Sequence, residues 1–358
     1  NMYSNNDLYD FKYGASTFSN NFFYEDHAIP YWMSYGKRFV TKSFIFYLKN
    51  YILRPFKRKN KIFKNLEDLY KELPPNIRYI LSKGCEKHYQ INPRELEPSA
   101  HSMSTFTNFR QTLFNDNLNN FLKNNSKFFD EHLASRRKSN SKLPNISLYP
   151  KGKNMEFITD KLIKNLESKG VIFEKNNFDN INLIDNSKNI LFNNQKYDQI
   201  IITTNLSNTQ KILKHNLEKK YEHFVAQIFI YFTIKKVNFR FQYLHINDYN
   251  LYCSRISNCS LYSKKTDKNN HVLIAEIPLS PENKLWGNDS KLKEIAWNEI
   301  IKAGILKKDD NYISAKILKI PKTISVPKVN FFKFLNEIEL EIEKNFSGKV
   351  KLIGQGIF

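Results

Sequence analysis

The sequence predicts an α/β fold, and three observations predict it. Met155, Ile158, Leu162, Ile163 and Leu166 fall on one stripe of a helix, and Gly170 stands where a C-terminal cap belongs. Ile200-Ile201-Ile202 is a continuous apolar run, the pattern of a strand covered on both faces. Residues 224–280 read as β-rich, with alternation around Phe229, Tyr231 and Thr233. At 358 residues, 41% hydrophobic and 15% aromatic, the chain is long enough for two or three domains and too apolar for a disordered one.

The elements follow in order. Residues 1–38 are polar and aromatic, and Gly14 within Phe11–Phe18 marks a turn or a close backbone approach. Residues 39–135 read as mostly helical. Leu66, Leu69, Tyr70 and Leu73 share a helical face that Pro74-Pro75 ends, and Pro93 and Pro98 bracket turns. Residues 136–145 are a polar surface connection. Tyr149-Pro150-Lys151-Gly152 leads into the 155–166 helix, after which Val171-Ile172-Phe173 predicts a strand. Two short strands follow, around Ile181–Ile184 and Ile190–Phe192, with a turn at Asn193-Asn194. Thr203-Thr204-Asn205 closes the Ile200–Ile202 strand, and a helix begins near Ser207. Strands are expected at Ala226–Ile234, Asn250–Ser254 and His271–Ile277, then a helix at Leu285–Gly304. A strand at Ile313–Ile320 should stop at Pro321 and Pro327. A helix at Phe331–Phe346 and a strand at Lys351–Ile353 lead to Gly354 and Gly356.

Lys and Arg number 56 against 35 Asp and Glu, a formal net charge of +21. In a chain this rich in Asn, Lys, Ile, Tyr and Phe, that excess reads first as solvated faces. The alternative is a patch for an anionic partner at 54–61 and 136–138. Three cysteines (Cys85, Cys253, Cys259) exclude a disulfide scaffold and a multi-cysteine metal centre. No apolar run reaches the ~18 residues of a membrane span. The eight histidines show no metal-ligand spacing, and no Gly-x-Ser-x-Gly or P-loop occurs. The chain begins at Asn1 and stops directly after an apolar strand, so a fragment, cut at one end or both, is expected.

The stretch 149–206 resembles the central part of the FAD-dependent amine-oxidase-like superfamily. Protoporphyrinogen oxidases, monoamine oxidases and UDP-galactopyranose mutases belong to it. The matching residues are Tyr149, Pro150, Gly152, Gly170, Phe173, Phe178, Ile181, Asp198, Ile201, Ile202 and Thr204; Phe178 replaces a usual Val and Asn205 a usual Pro. Phe11–Phe18 is similar to a flavin-side segment of the family, with Lys12 and Ser16 in place of its Asp and His. Arg255-Ile256-Ser257-Asn258 with Glu276 resembles its substrate domain, Pro321–Val329 its approach to the last helix, and Leu352–Phe358 its closing strand-to-helix junction. The family's opening Gly-x-Gly-x-x-Gly is found nowhere among the ten glycines.

The resemblance implies an incomplete Rossmann-like FAD-binding domain from 1–18, 149–215 and 321–358. Inserted into it are a helical part (19–148) and a β-rich part (216–320) of a substrate domain. FAD is the implied cofactor. Gly14, Ala15, Phe178, Thr203, Thr204, Asn205, Gly354, Gln355 and Gly356 are the implied contacts. Thr203–Asn205 suit a helix N-cap equally well. Arg255 would pair with an anionic group of the substrate, or is a surface arginine. The sequence offers no candidate general acid or base and no metal site. The expected role is oxidation of a small molecule. The alternatives are a flavin-dependent nucleotide-sugar isomerase like the mutases, or a cofactor-free basic protein for an anionic partner. No nucleic acid is expected as a partner. A cytoplasmic location is expected, with peripheral contact at the inner face of a membrane as the alternative.

Overall fold

The computed structural model describes residues 8–12, 15–24, 30–53, 62–104, 106–135, 146–151, 154–174, 183–186, 189–192, 195–213, 221–237, 239, 241–262 and 270–354. They form a mixed α/β molecule. First come β1 (Leu8–Lys12), β2 (Ala15–Ser19) and β3 (Phe22–Tyr24). A helical unit follows: α1 (Lys37–Leu53), α2 (Leu66–Tyr70), α3 (Pro75–Tyr89), α4 (Asp116–Asn125) and α5 (Lys127–His132). Next are β4 (Ile146–Pro150), α6 (Glu156–Glu167), β5 (Leu183–Asn186), β6 (Asn189–Phe192), β7 (Gln195–Tyr197), β8 (Ile200–Ile202) and α7 (Leu206–Ile212). The strands β9 (Glu222–Ile234), β10 (Tyr243–Ile246), β11 (Arg255–Asn258) and β12 (His271–Pro278) precede α8 (Asp289–Lys302). The last elements are β13 (Tyr312–Pro327), α9 (Phe331–Phe346) and β14 (Val350–Leu352).

Local chemistry explains the boundaries. Asparagine starts helix after helix, because its short side chain accepts from a backbone N–H left over in the first turn. Asn65 caps α2, Asn115 α4, Asn205 α7 and Asn288 α8. Pro74-Pro75 separates two helices: Pro75 is the first residue of α3, where its missing N–H costs nothing. Gly170, at φ 89°, ends the turn after α6, and Val171 N–H returns to the Leu166 carbonyl at 3.0 Å.

The main sheet has the order β13-β9-β12-β11-β10-β2-β3, antiparallel except where β10 runs parallel to β2. Ile228, Ile230, Phe232, Leu273, Ala275, Ile277, Ile256 and Leu244 point to one face and pack on Leu292, Ala296 and Ile300 of α8. The helical unit has its own core, built on Trp32, Tyr47, Tyr70, Leu81 and Phe106, and it shares Val225 and Val326 with the sheet. A third core lies between α9 and the parallel pair β8–β14. β1 pairs with β4, and β5-β6-β7 form a small antiparallel sheet.

Four expectations are corrected. Val171–Phe173 is no strand: the three side chains are exposed, and nothing among the described residues pairs with them. Among the described residues the Ile200–Ile202 strand is covered on one face only, with Ile202 buried and Ile201 55% exposed. Asn250–Ser254 is the loop between β10 and β11, held by backbone and side-chain bonds instead of a ladder. β13 does not stop at Pro321 but runs to Pro327. It is an edge strand and slips register between Ile320 and Ile324, so Pro321 falls where no ladder donor is needed. The stripe of α6 is helical as expected, yet none of its residues is buried. β2, within 1–18, lies in the main sheet beside β10, as does the 321–327 half of β13 beside β9.

Candidate functional site

The face of the main sheet opposite α8 is polar and aromatic. Strand register sets two rows of side chains across it. Phe229, Glu276, Arg255, His245 and Thr17 are successive partners on β9, β12, β11, β10 and β2. Tyr231, Ile274, Ser257, Tyr243 and Ala15 form the next row. Paired residues share a face, so the alternation that sends Ile256 and Leu244 into the core sends Arg255 and Tyr243 here.

Arg255 and Glu276 form the centre. The Arg255 Nε donates to Glu276 Oε1 at 2.7 Å, and the carboxylate side chain is only 7% exposed against 38% for the arginine. Burial works against the Arg255 charge, and the Glu276 carboxylate beside it more than restores it. The Arg255 guanidinium carbon stands 4.8 Å from the centre of the Tyr243 ring. Tyr262 packs 5.6 Å from Tyr243 and 5.7 Å from Tyr149, which β4 brings in. Burial, then the charge of Arg255, push His245 down to about 4, so it is neutral near pH 7. Burial, then Glu276, push the Cys259 thiol up to about 11, so it is no thiolate nucleophile. The phenols of Tyr149 and Tyr231 are raised, chiefly by burial, and stay protonated. The cluster can hold an anionic group and donate hydrogen bonds to it. Neither His245 nor Cys259 exchanges a proton near neutrality.

A second locus lies at the carboxyl ends of the parallel pair. Leu352 of β14 is the partner of Ile202 of β8, and Ile353 N–H donates to the Ile202 carbonyl at 3.0 Å. Thr203, Thr204 and Asn205 therefore stand beside Gly354. The Asn205 side chain accepts from Asn208 N–H at 2.9 Å, which makes it the N-cap of α7. The hydroxyls of Thr204 and Thr209 are 3.3 Å apart. Gly354 has φ 79°, a conformation that favours glycine, and no described atom lies within 4 Å of where a Cβ would stand. A cavity of about 390 Å³ borders this locus, lined by Phe192, Tyr197, Ile200, Ile202, Thr204 and Ile212.

Of the residues expected to matter, Ala15 and Arg255 lie on the same sheet with β10 between their strands, and Thr203, Thr204, Asn205 and Gly354 gather at the strand ends. Gly14, Phe178, Gln355 and Gly356 lie outside the described residues. Sequence reasoning missed Tyr243 and Tyr262 as neighbours of Arg255. The signal for Tyr243 was the alternation Tyr243-Leu244-His245-Ile246, which sets two polar side chains opposite two buried ones. A larger cavity, about 640 Å³, lies between the end of α3 and the loop at Tyr249–Tyr252. Its polar groups are largely committed: the Gln90 amide bonds the backbone of Ala226, and Asn92 and Asn283 cap turns. Among the described residues, no three His, Cys, Asp or Glu side chains gather as a metal site.

The implied FAD can be tested against these residues. Two adjacent parallel strand ends, a glycine open to close approach and an apolar cavity fit one wall of a dinucleotide site. The glycine-rich cradle for the pyrophosphate is not in the sequence.

No protein-family model and no curated protein matches the sequence. Solved structures do match the fold. A reduced UDP-galactopyranose mutase superposes with a TM-score of 0.64 at 14% identity, over 96% of this chain and 73% of that one. A provisionally assigned protoporphyrinogen oxidase from Exiguobacterium sp. 255-15 gives 0.55 at 10% identity, over 98% and 77%. A variant putrescine oxidase gives 0.51 at 7% identity, over 96% and 77%. The likeness is one of fold: this chain folds like a UDP-galactopyranose mutase, a provisionally assigned protoporphyrinogen oxidase and amine oxidases of known structure.

Proposed function

We propose that this chain is an FAD-dependent oxidoreductase acting on a small molecule that carries an anionic group. The observation that supports it is the Arg255–Glu276 pair set among tyrosines on the open sheet face. Ala15, Thr203, Thr204 and Gly354 would hold the cofactor, and FAD when bound supplies the two-electron chemistry. The protein's part is binding and orientation. Arg255 has five N–H donors and spends one on Glu276, leaving a charged fork for a carboxylate or phosphate. Glu276 fixes the plane of that fork. The Tyr243 ring packs beneath it, with Tyr262 beside that ring, and leaves the outer side of the fork open. His245, neutral, adds no competing charge.

The second reading is a flavin-dependent nucleotide-sugar isomerase. The convergence of Arg255 with Tyr243, Tyr262 and Tyr149 favours it, because an arginine among phenols suits a diphosphate.

The test is the visible spectrum of the desalted protein. A retained flavin band at about 450 nm is expected. A colourless protein that takes up no added FAD overturns both readings. With a flavin present, net consumption of an electron acceptor identifies an oxidoreductase, and redox-neutral turnover an isomerase. Arg255→Ala should keep the flavin and raise KM for an anionic substrate ~100-fold, the scale of a lost charge-assisted fork.

A further inference from the structure

α1 turns to solvent a face that an ordinary surface helix makes polar. Val40, Ser43 and Tyr47 point inward. Thr41, Lys42, Ile45, Leu48, Lys49 and Ile52 are exposed, and their spacing makes one continuous stripe. Within it Ile45 is 58% exposed, Leu48 40% and Ile52 61%. The helix is anchored to the body at its far end, where the Tyr51 ring stacks 5.6 Å from Phe129. The stripe is therefore presented on a preformed support.

Charge singles out this region. Residues 27–66 contain ten Lys and Arg and no Asp or Glu, whereas the chain as a whole has 35 acidic residues in 358. At 17 residues α1 is about 25 Å long and carries Lys42 near the start of the stripe and Lys49 within it. No helix among the described residues is long and apolar enough to cross a membrane. An aliphatic row flanked by lysines, within an unbroken basic stretch, is the make-up of a helix that lies in a lipid interface.

We propose that the outward face of α1 docks on an anionic lipid surface. Ile45, Leu48 and Ile52 enter the boundary between headgroups and acyl chains, and Lys42 and Lys49 extend their stems along it to reach lipid phosphates. Charge complementarity favours this occupant over a second copy, since two such faces would set Lys42 and Lys49 against the same two lysines. It also favours lipid over nucleic acid, whose phosphates gain nothing from three aliphatic side chains in a row.

Co-sedimentation with vesicles tests the proposal without reference to any cofactor or substrate. The protein should pellet with vesicles of phosphatidylcholine containing about 30% phosphatidylserine at about 0.15 M salt, and ~10-fold less with phosphatidylcholine alone. The triple variant Ile45→Ser, Leu48→Ser, Ile52→Ser should lose ~10-fold in partitioning while circular dichroism and melting midpoint stay put, since the three side chains are exposed. Lys42→Glu with Lys49→Glu should lose as much. If the serine triple binds like the native chain, attraction of the whole basic protein suffices and the proposal fails. It fails equally if light scattering finds a dimer that the serine triple dissociates.

Discussion

Lys87 carries an ammonium group into the interior, and its surroundings show what that requires. Its Nζ donates to the carbonyls of Asp248 at 2.8 Å, Cys253 at 2.7 Å and Ile246 at 3.3 Å. Glu299 of α8 grips the same loop from the opposite polarity, accepting from the N–H groups of Tyr252 at 2.8 Å and Cys253 at 2.7 Å. The β10–β11 loop is thus held by a cation on its carbonyls and an anion on its amides. Burial pushes Lys87 down to about 8, against the opposing pull of Glu299. The folded pKa lies below the ordinary lysine value of ~10.4, so between those values the unfolded chain binds more protons and this group favours folding as pH rises. The gain is at most about 3 kcal/mol. Urea unfolding at pH 7.5 and 10 should show that rise in the native chain and a smaller one in Lys87→Met. At pH 7.5 Lys87→Met should cost about 2–4 kcal/mol, because three buried carbonyls lose their donor.

At the scale of the element, α3 shows packing overriding propensity. Gly84 sits inside this helix, where alanine is better by about 1 kcal/mol. A Cβ at Gly84 would run into the Phe106 ring, which fills the helical core. Gly84→Ala should therefore destabilise by about 1–3 kcal/mol in urea unfolding. In the Phe106→Leu background the same change should cost less, and a cycle without coupling would deny the close approach. β13 makes the complementary point for proline: an edge position and a register slip let the strand run through Pro321.

Across the whole molecule, the helical unit and the main sheet are not independent bodies. Val225 and Val326 lie on the same strands as the sheet core yet belong to the helical core. Glu97 N–H donates to Pro327 at 3.0 Å and the Gln90 amide to Ala226 at 2.6 Å. Leu81→Ala in the helical core and Ile230→Ala in the sheet core should each cost about 2–5 kcal/mol. Both should shift one shared thermal transition, whereas two separated transitions would show the units to be independent. The α/β part differs in character. Ile201 on β8, Ile353 just after β14, Met155 just before α6, and Ile172 and Phe173 in the segment after α6 leave apolar surface uncovered by any described residue.

By itself the sequence determined the α/β class and the order of its main helices and of several strands. The 3.6-residue stripes of α6 and α9, the Gly170 cap and the α/β class were legible because local sterics decide them within a few residues. The likeness of 149–206 to a flavoprotein fold was legible too, through spacing along one continuous stretch. Only the tertiary structure decided which face of a strand is covered. Ile200–Ile202 reads as buried on both sides, but burial belongs to the layer that arrives from elsewhere, and no described layer covers Ile201. The site was decided in the same way. Arg255 and Glu276 were singled out in the sequence, but their 2.7 Å contact and the tyrosines around them come from register across β2, β10, β11 and β12. Register is fixed by long-range pairing, and a local pattern carries alternation but not the partner it faces.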